Sequence, residues 1–488
     1  MDGGRHLTAR TLMRQLGHWR LGTGGTAYAD LAERIKLLVL DGRVPVATRL
    51  PAERELASAL AISRTTVAAG YDLLRTDGFL HSRRGAGSWI TMPEPAGRRS
   101  ISSYAPSTDP SALDLAYAAL PAPHEALARA QAGAAEELAR YSIGSGYHML
   151  GIDSLRDAVA ARFTARGLPT ARDQILITCG AQQAISIVLA ALVAPGERVV
   201  VEHPTYPNAL DAIGREHARA IPIGFDGPDW NLDALAATVR DTSPRLIYLI
   251  PDHQNPTGRV MNASQRDELV ALARRTRTPL LVDETMVELA LDGARPAPVA
   301  AHLAVNSSLP VITVGSASKT FWGGLRTGWI RATPPWIERF ARARASLDIA
   351  TSVLDQLVTE QLLSDIDGVL AERLPNLRTS RDHLLGQLRE RFPSWRAQRP
   401  LGGLSLWVDL GRPVSSVLVS AAARRDVLLA AGPRFGVDGA FEQRLRLPYT
   451  LPVHKLDQAL NRLSDAWVSL PRDAQLGAGW AGTPAEVA

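Results

Sequence analysis

Between residues 174 and 314 the sequence repeatedly alternates a short β-branched run with a longer stretch that suits a helix, and few architectures accept that rhythm. The runs read QILIT at 174–178, RVVV at 198–201, LIYLI at 246–250, PLLV at 279–282 and VITV at 311–314. Each is nearly continuous in apolar character, as expected of a strand buried on both faces. Parallel neighbours need a crossover of a dozen or more residues, and the intervening stretches supply it. An α/β fold follows: a largely parallel sheet with helices on both faces.

At 488 residues the chain exceeds one ordinary core, so two or more domains are expected. The break falls at 92–112, MPEPAGRRSISSYAPSTDPSA, where Pro, Ser and Gly replace apolar periodicity and the chain reads as a linker. Residues 1–91 form one domain with its core at 27–90. Residues 113–470 form another, and the tail 471–488 is expected to be disordered. Hydrophobic residues at 46% and charged residues at 21% suit a soluble protein. No run approaches the roughly 18 apolar residues of a membrane span, and MDGGRHLTAR lacks the apolar core of an export signal. The single cysteine, Cys179, cannot form an internal disulfide and fits a reducing cytoplasm. The net charge of +5 is too modest to argue for nucleic acid. More informative is that lysine occurs only as Lys36, Lys319 and Lys455. Chemistry that needs a primary amine has few candidates.

Helical spacing over Ala27–Leu40 ends near Gly42. Pro51 suits a first helical turn that continues through Glu53–Leu60; a tight turn at Ala61 and Ile62 follows, and Ser63 caps a second helix to about Thr76. This is a helix-turn-helix, whose second helix offers its first residues, here Ser63, Arg64, Thr65 and Thr66, to base edges in the major groove. Arginine can make two hydrogen bonds to guanine, and threonine can meet phosphate or a thymine methyl. Residues 79–90 read as a hairpin whose tip, Arg83, Arg84 and Gly85, can rest on phosphate or enter the minor groove. LPAERELASALAISRTTVAAGYDLL followed by DGFLHSRRGAG resembles the winged helix of the GntR family over 27–90. The resemblance implies DNA contacts from Arg54, Arg64, Thr65, Thr66, Arg84 and Gly85. Leu12, Leu16 and Trp19, ahead of it, suggest an extra helix.

In VITVGSASKTFWGGLRTGWI, at 311–330, a strand ends in small residues, a lysine follows, and an arginine stands seven residues further on. A lysine so placed, Lys319, can form a Schiff base with a bound aldehyde, and small neighbours leave room for a ring. Ser316, Ser318 and Arg326 suit a phosphate dianion. The segment resembles the cofactor-lysine motif of fold-type I pyridoxal-phosphate enzymes, class I aminotransferases in particular, and further elements arrive in that family's order. Gly180, Ala181 and Gln182 follow a strand and open a helix, so the resemblance assigns their amides to the cofactor phosphate. It implies that Tyr206 in HPTYP stacks on the ring, that Asn255 in HQNPTG meets the ring hydroxyl, and that Asp283 in LLVDET pairs with the protonated ring nitrogen. Arg446 in RLRLPYT matches the residue that holds a substrate carboxylate. The family's usual tyrosine two or three residues after that aspartate is replaced by Thr285 and Met286, with Thr285 kept among the cofactor neighbours. Asn208 stands where one regulator subgroup has an arginine, so that subgroup's ligand does not carry over. His203 and His253 read as loop histidines, and no metal ligand is expected.

A GntR-type winged helix joined to a class I aminotransferase-like domain resembles the MocR family of bacterial regulators. The resemblance implies pyridoxal 5'-phosphate as cofactor and a smaller C-terminal α+β subdomain beside the parallel sheet. It implies double-stranded DNA with paired half-sites as partner, a head-to-tail homodimer and a cytoplasmic location. The function implied is transcription regulation that senses an amino compound, or pyridoxal phosphate itself, through the Lys319 Schiff base. The alternative is a working class I aminotransferase with an appended DNA-binding domain. The absent tyrosine argues against efficient transamination and leaves a residual half-reaction open.

Overall fold

The computed structural model describes residues 6–17, 19–20, 26–40, 43–45, 48–83, 87–91, 113–227, 229–303 and 309–470. Arg84, Gly85, the expected linker at 92–112 and the expected tail at 471–488 lie outside the described residues, as does the side chain of Arg83. The chain divides into two compact units, one of residues 1–114, 413–428 and 461–488, the other of residues 115–412 and 429–460.

In the first unit the extra helix is Ala9–Leu16, capped by Thr8, which accepts from the Thr11 amide at 3.2 Å. Helices Ala27–Leu40, Glu53–Leu60 and Arg64–Thr76 follow, then a hairpin pairing Leu80–Arg83 with Gly87–Ile90. Apolar residues at helical spacing turn inward, and Leu12, Leu31, Ile35, Leu56, Val67, Tyr71 and Leu74 pack with Leu80 and Ile90 of the hairpin. Gly70 lets two helices close on each other: a Cβ there would sit 3.1 Å from the Tyr28 carbonyl. Pro51, suited by type to a first helical turn, is not part of the helix. It stands instead just ahead of the helix, whose N-cap is Ala52, because the buried Tyr71 hydroxyl holds the Pro51 carbonyl at 3.0 Å in the approach to the helix. Ala61 ends that helix in the left-handed region, φ 53°, and makes the tight turn.

The second unit holds an eight-stranded sheet in the order Ile175–Thr178, Gly328–Arg331, Val311–Ser316, Leu280–Asp283, Leu246–Leu249, Arg198–His203, Arg219–Asp226, Asp229–Trp230. Neighbours from Val311–Ser316 to Arg219–Asp226 are parallel, whereas Gly328–Arg331 runs antiparallel to both its partners. Side chains alternate between two cores. Val199, Val201, Leu281 and Ile312 face helices such as Gly180–Leu192 and Pro334–Arg344, while Val200, Val282 and Val311 face helices such as Asp153–Ala165 and Val353–Ser364. This two-sided burial is why the strands read as unbroken apolar runs. A smaller antiparallel sheet pairs Arg396–Ala397, Ser405–Asp409 and Arg444–Pro448, and Val427–Ala431 joins its far side. Among the described residues no helix is long and apolar enough to cross a membrane.

The parallel strands end together at Thr178, His203, Leu249, Asp283 and Ser316. In an open α/β sheet that edge is where ligands bind.

Candidate functional site

Lys319 lies in a one-turn helix, Ala317–Thr320, entered directly from the strand Val311–Ser316. The Ser316 hydroxyl caps that turn, accepting from the Ser318 amide at 3.1 Å and donating to the Thr327 carbonyl at 3.1 Å. The Lys319 amine donates to the Ala118 carbonyl at 2.7 Å. Burial, with the nearby guanidinium of Arg446, pulls it down to about 8, while the carboxylate of Asp283 opposes the shift. A larger share of the amine is therefore neutral, hence nucleophilic, than an exposed lysine would offer.

Beside it the helix Gly180–Leu192 opens on Gly180, φ +76°, and a Cβ at that position would lie 2.7 Å from Nη2 of Arg326. Arg326, itself at φ 48°, reaches the Cys179 carbonyl at 3.2 Å and the Ser318 hydroxyl at 3.5 Å. Gly328 keeps the floor flat, since a Cβ there would meet the Gly180 backbone at 2.5 Å. Arg326 thus brings the Ser318 hydroxyl and the start of the helix Gly180–Leu192 together, and a guanidinium, a hydroxyl and first-turn amides make a donor set suited to a dianion. The Gln182 carboxamide donates to the Asn208 carbonyl at 3.0 Å.

Asp283 ends its strand buried. It accepts from the Tyr248 hydroxyl at 3.0 Å and from the Thr285 amide at 2.9 Å, and burial raises its carboxyl above the ordinary range. A cationic partner beside it would oppose that shift. Burial pushes the Tyr206 phenol up to about 12; its oxygen accepts from Asn208 Nδ2 at 3.0 Å. Arg446, on Arg444–Pro448, is buried with its guanidinium 4.9 Å from the Phe435 ring, and Nη1 meets Asn255 Oδ1 at 3.5 Å. Its Nη2 donates to the Ala116 carbonyl. Asp283, Arg446 and Arg326 all act electrostatically on both Lys319 and Tyr206, so the residues singled out from the sequence converge on one place.

Tyr248, Gln254 and the carbonyls of Ala116 and Ala118 carry no mark in the sequence that singles them out. Tyr248 sits inside LIYLI, where a lone hydroxyl looks like a core aromatic. Gln254 stands next to Asn255 without any spacing rule to mark it. The carbonyls of Ala116 and Ala118 are backbone groups, and these carry no side-chain signal. Of the two histidines expected in loops, His203 instead closes the strand Arg198–His203, where it accepts from the Val437 amide at 3.0 Å, while His253 lies in a loop, buried against Gly402 with its pKa lowered by burial to about 4. Among the described residues no group of His, Cys, Asp or Glu is arranged to hold a metal ion.

On the winged helix, the Ser63 hydroxyl caps Arg64–Thr76 by accepting from the Thr66 amide at 3.1 Å. Arg54, Ser63, Arg64 and Thr65 are exposed and Thr66 half-buried. Arg64 leans on Glu53 at 3.4 Å, a weak surface contact that leaves its guanidinium available.

The family model of aminotransferase class I and II matches residues 113–463, and that of the gntR family of bacterial regulatory proteins matches residues 27–90. The chain belongs to the aminotransferase class I and II family. With the winged helix in front it has the MocR-type architecture, that of a pyridoxal-phosphate-dependent transcriptional regulator. It is 27% identical to the uncharacterized HTH-type transcriptional regulator YisV of Bacillus subtilis, over 87% of this chain and 92% of that one. It is 30% identical to the probable rhizopine catabolism regulatory protein MocR of Rhizobium meliloti, over 72% of this chain and 74% of that one. Among solved structures it resembles LysN, the α-aminoadipate aminotransferase of Thermus thermophilus complexed with N-(5'-phosphopyridoxyl)-L-leucine. That match has a TM-score of 0.68 and 28% identity, and covers 74% of this chain and 92% of the other. The cofactor such a fold implies is pyridoxal phosphate, and the residues present fit it: an amine of lowered pKa beside a donor-lined cradle that a Cβ at Gly180 would fill.

Proposed function

We propose that the protein reads an operator through residues 27–90 and changes that reading according to what is bound at Lys319 in residues 113–470, with 92–112 as the connection. Lys319 is the attachment point. Gly180, Ala181, Gln182, Ser316, Ser318 and Arg326 hold the cofactor phosphate; Tyr206 and Thr285 flank the ring, Asn255 meets its hydroxyl and Asp283 its nitrogen. Bound there, pyridoxal phosphate supplies an aldehyde that condenses with primary amines and a ring that accepts electron density. Arg446 takes the carboxylate of an amino-compound effector as a two-pronged partner. Arg54, Ser63, Arg64, Thr65 and Thr66, with Arg83, Arg84 and Gly85 of the wing, contact DNA. Two chains pair head to tail in the cytoplasm, and two heads read paired half-sites.

The observation that carries the reading is that Lys319 and Arg446 both donate to one short backbone segment, at the carbonyls of Ala118 and Ala116. That segment is where the chain arrives from the linker. A ligand carboxylate that claims Arg446 competes with the Ala116 carbonyl, so the two states of the site differ in how the segment is held. A ligand shifts a conformational balance only through such a difference. Typical couplings of about 1–3 kcal/mol correspond to roughly 5- to 150-fold changes in affinity.

The test is fluorescence anisotropy of the full-length protein on DNA from upstream of its own and adjacent genes. Cofactor-free protein, cofactor-loaded protein, and loaded protein with a panel of amino acids are compared. Affinity should change at least fivefold between two of these states, and Arg446→Met should abolish the amino-acid response while sparing the cofactor's. Equal affinity in every state would overturn the proposal. Multiple turnovers with a keto-acid acceptor at roughly 1 s⁻¹ or faster would favour the aminotransferase alternative.

A further inference from the structure

The parallel strands Arg198–His203 and Leu246–Leu249 are paired in register as far as Val201↔Tyr248. Past His203 and Leu249 each continues into a loop, one bearing Tyr206 and the other Asn255. The carboxamide of Gln254 ties these loops together. Its Nε2 donates to Glu202 Oε2 at 3.0 Å and to the Pro204 carbonyl at 2.8 Å. Its Oε1 accepts from the Thr257 amide at 3.0 Å and from the Thr257 hydroxyl at 2.6 Å. Both donors and both acceptor sites of the amide are used, and the side chain is 1% exposed. Glu202 is anchored from behind, its Oε1 accepting from Trp230 Nε1 at 2.7 Å.

We propose that Gln254 is a positioning residue: its carboxamide sets the separation of the Tyr206 and Asn255 loops, and through it the hydrogen bond that Asn255 gives the cofactor's ring hydroxyl. The inference rests on reading the Lys319 site as the pyridoxal-phosphate site. A donor at the ring oxygen favours negative charge there and weakens that oxygen's hold on the proton it shares with the lysine nitrogen. The visible band of the loaded protein then titrates at a lower pH. Misplacing Asn255 should raise that midpoint, as deleting its amide would.

The experiment titrates the visible band of full-length, cofactor-loaded protein for wild type, Gln254→Glu, Asn255→Ala and the double variant, with Thr257→Val as a milder perturbation on the same amide. The melting temperature of each cofactor-free form is measured beside it. Gln254→Glu should raise the midpoint in the direction of Asn255→Ala and weaken cofactor affinity about tenfold, the scale of one buried charge-assisted hydrogen bond. The double variant should add little to either single one. Thr257→Val should give a smaller rise in the same sense, and it serves should Gln254→Glu not fold. A wild-type midpoint in Gln254→Glu, or in Thr257→Val if only that variant folds, would overturn the proposal, as would fully additive effects. If wild type itself shows no visible band, the site reading fails. If wild type loads and these variants titrate normally, only the role of Gln254 falls.

Discussion

The lowered pKa of Lys319 makes a quantitative demand on cofactor capture. With a value of about 8, roughly one amine in eleven is neutral at pH 7; at the ordinary 10.5 it would be about one in three thousand. The buried site therefore offers about 300 times more nucleophile at neutral pH. Cofactor-free protein mixed with pyridoxal phosphate in a stopped-flow spectrometer should develop its visible band at a rate that rises about tenfold per pH unit up to pH 8 and then levels. Dividing by the rate for a simple alkylamine, expressed per neutral amine, removes the cofactor's own ionisations. Arg446 is the second cause of the shift after burial, so Arg446→Met should move the break to higher pH and slow capture at pH 7. A normalised wild-type rate that kept climbing tenfold per unit to pH 10 would refute the reasoning, because the amine would then have an ordinary affinity for its proton.

Other consequences concern stability. Arg266 and Asp252, 1% and 0% exposed, form an ion pair at 2.5 Å, so Arg266→Met leaves an unpaired buried carboxylate and should cost about 3–5 kcal/mol in urea unfolding at pH 7. Burial raises the Glu202 carboxyl from 4.5 to about 8. The folded state thus keeps a proton that the unfolded chain loses near 4.5. Stability from this group falls by about 1.4 kcal/mol per pH unit between those values. Glu202→Gln should flatten wild type's decline across that window; parallel curves for the two proteins would contradict it. Ser63→Ala removes the cap of the recognition helix and should lower winged-helix stability by about 1 kcal/mol, read by hydrogen exchange in that helix.

The parts of this molecule that were legible beforehand are those where side-chain chemistry is local. Strands buried on both faces announce themselves as apolar runs, and Val199, Val200 and Val201 show why, with successive residues entering different cores. The strand Arg219–Asp226 did not announce itself, because it lies near the sheet edge, half its residues are exposed, and Pro222 interrupts it. Gly328–Arg331 was hidden in a glycine-rich motif that reads more readily as a loop. Lys319 could be singled out because a lysine among small residues at a strand end demands explanation, whereas Asp283, Asn255 and Arg446 stood out through their likeness to the aminotransferase motifs. Tyr248 and Gln254 did not. Their importance comes from what the fold brings beside them, a carboxylate from the next strand and a glutamate from a parallel neighbour. The Ala116 and Ala118 carbonyls lie further out of reach, since any residue supplies a carbonyl.

The central claim is that one amine, that of Lys319, carries the cofactor. With only Lys36 and Lys455 as rivals, borohydride reduction of the loaded full-length protein followed by peptide mass spectrometry settles it directly. The account predicts a pyridoxyl-phosphate adduct on the peptide containing Lys319, near one per chain, absent from Lys319→Ala. An adduct shared among the three lysines, retained in Lys319→Ala, or missing altogether would contradict it.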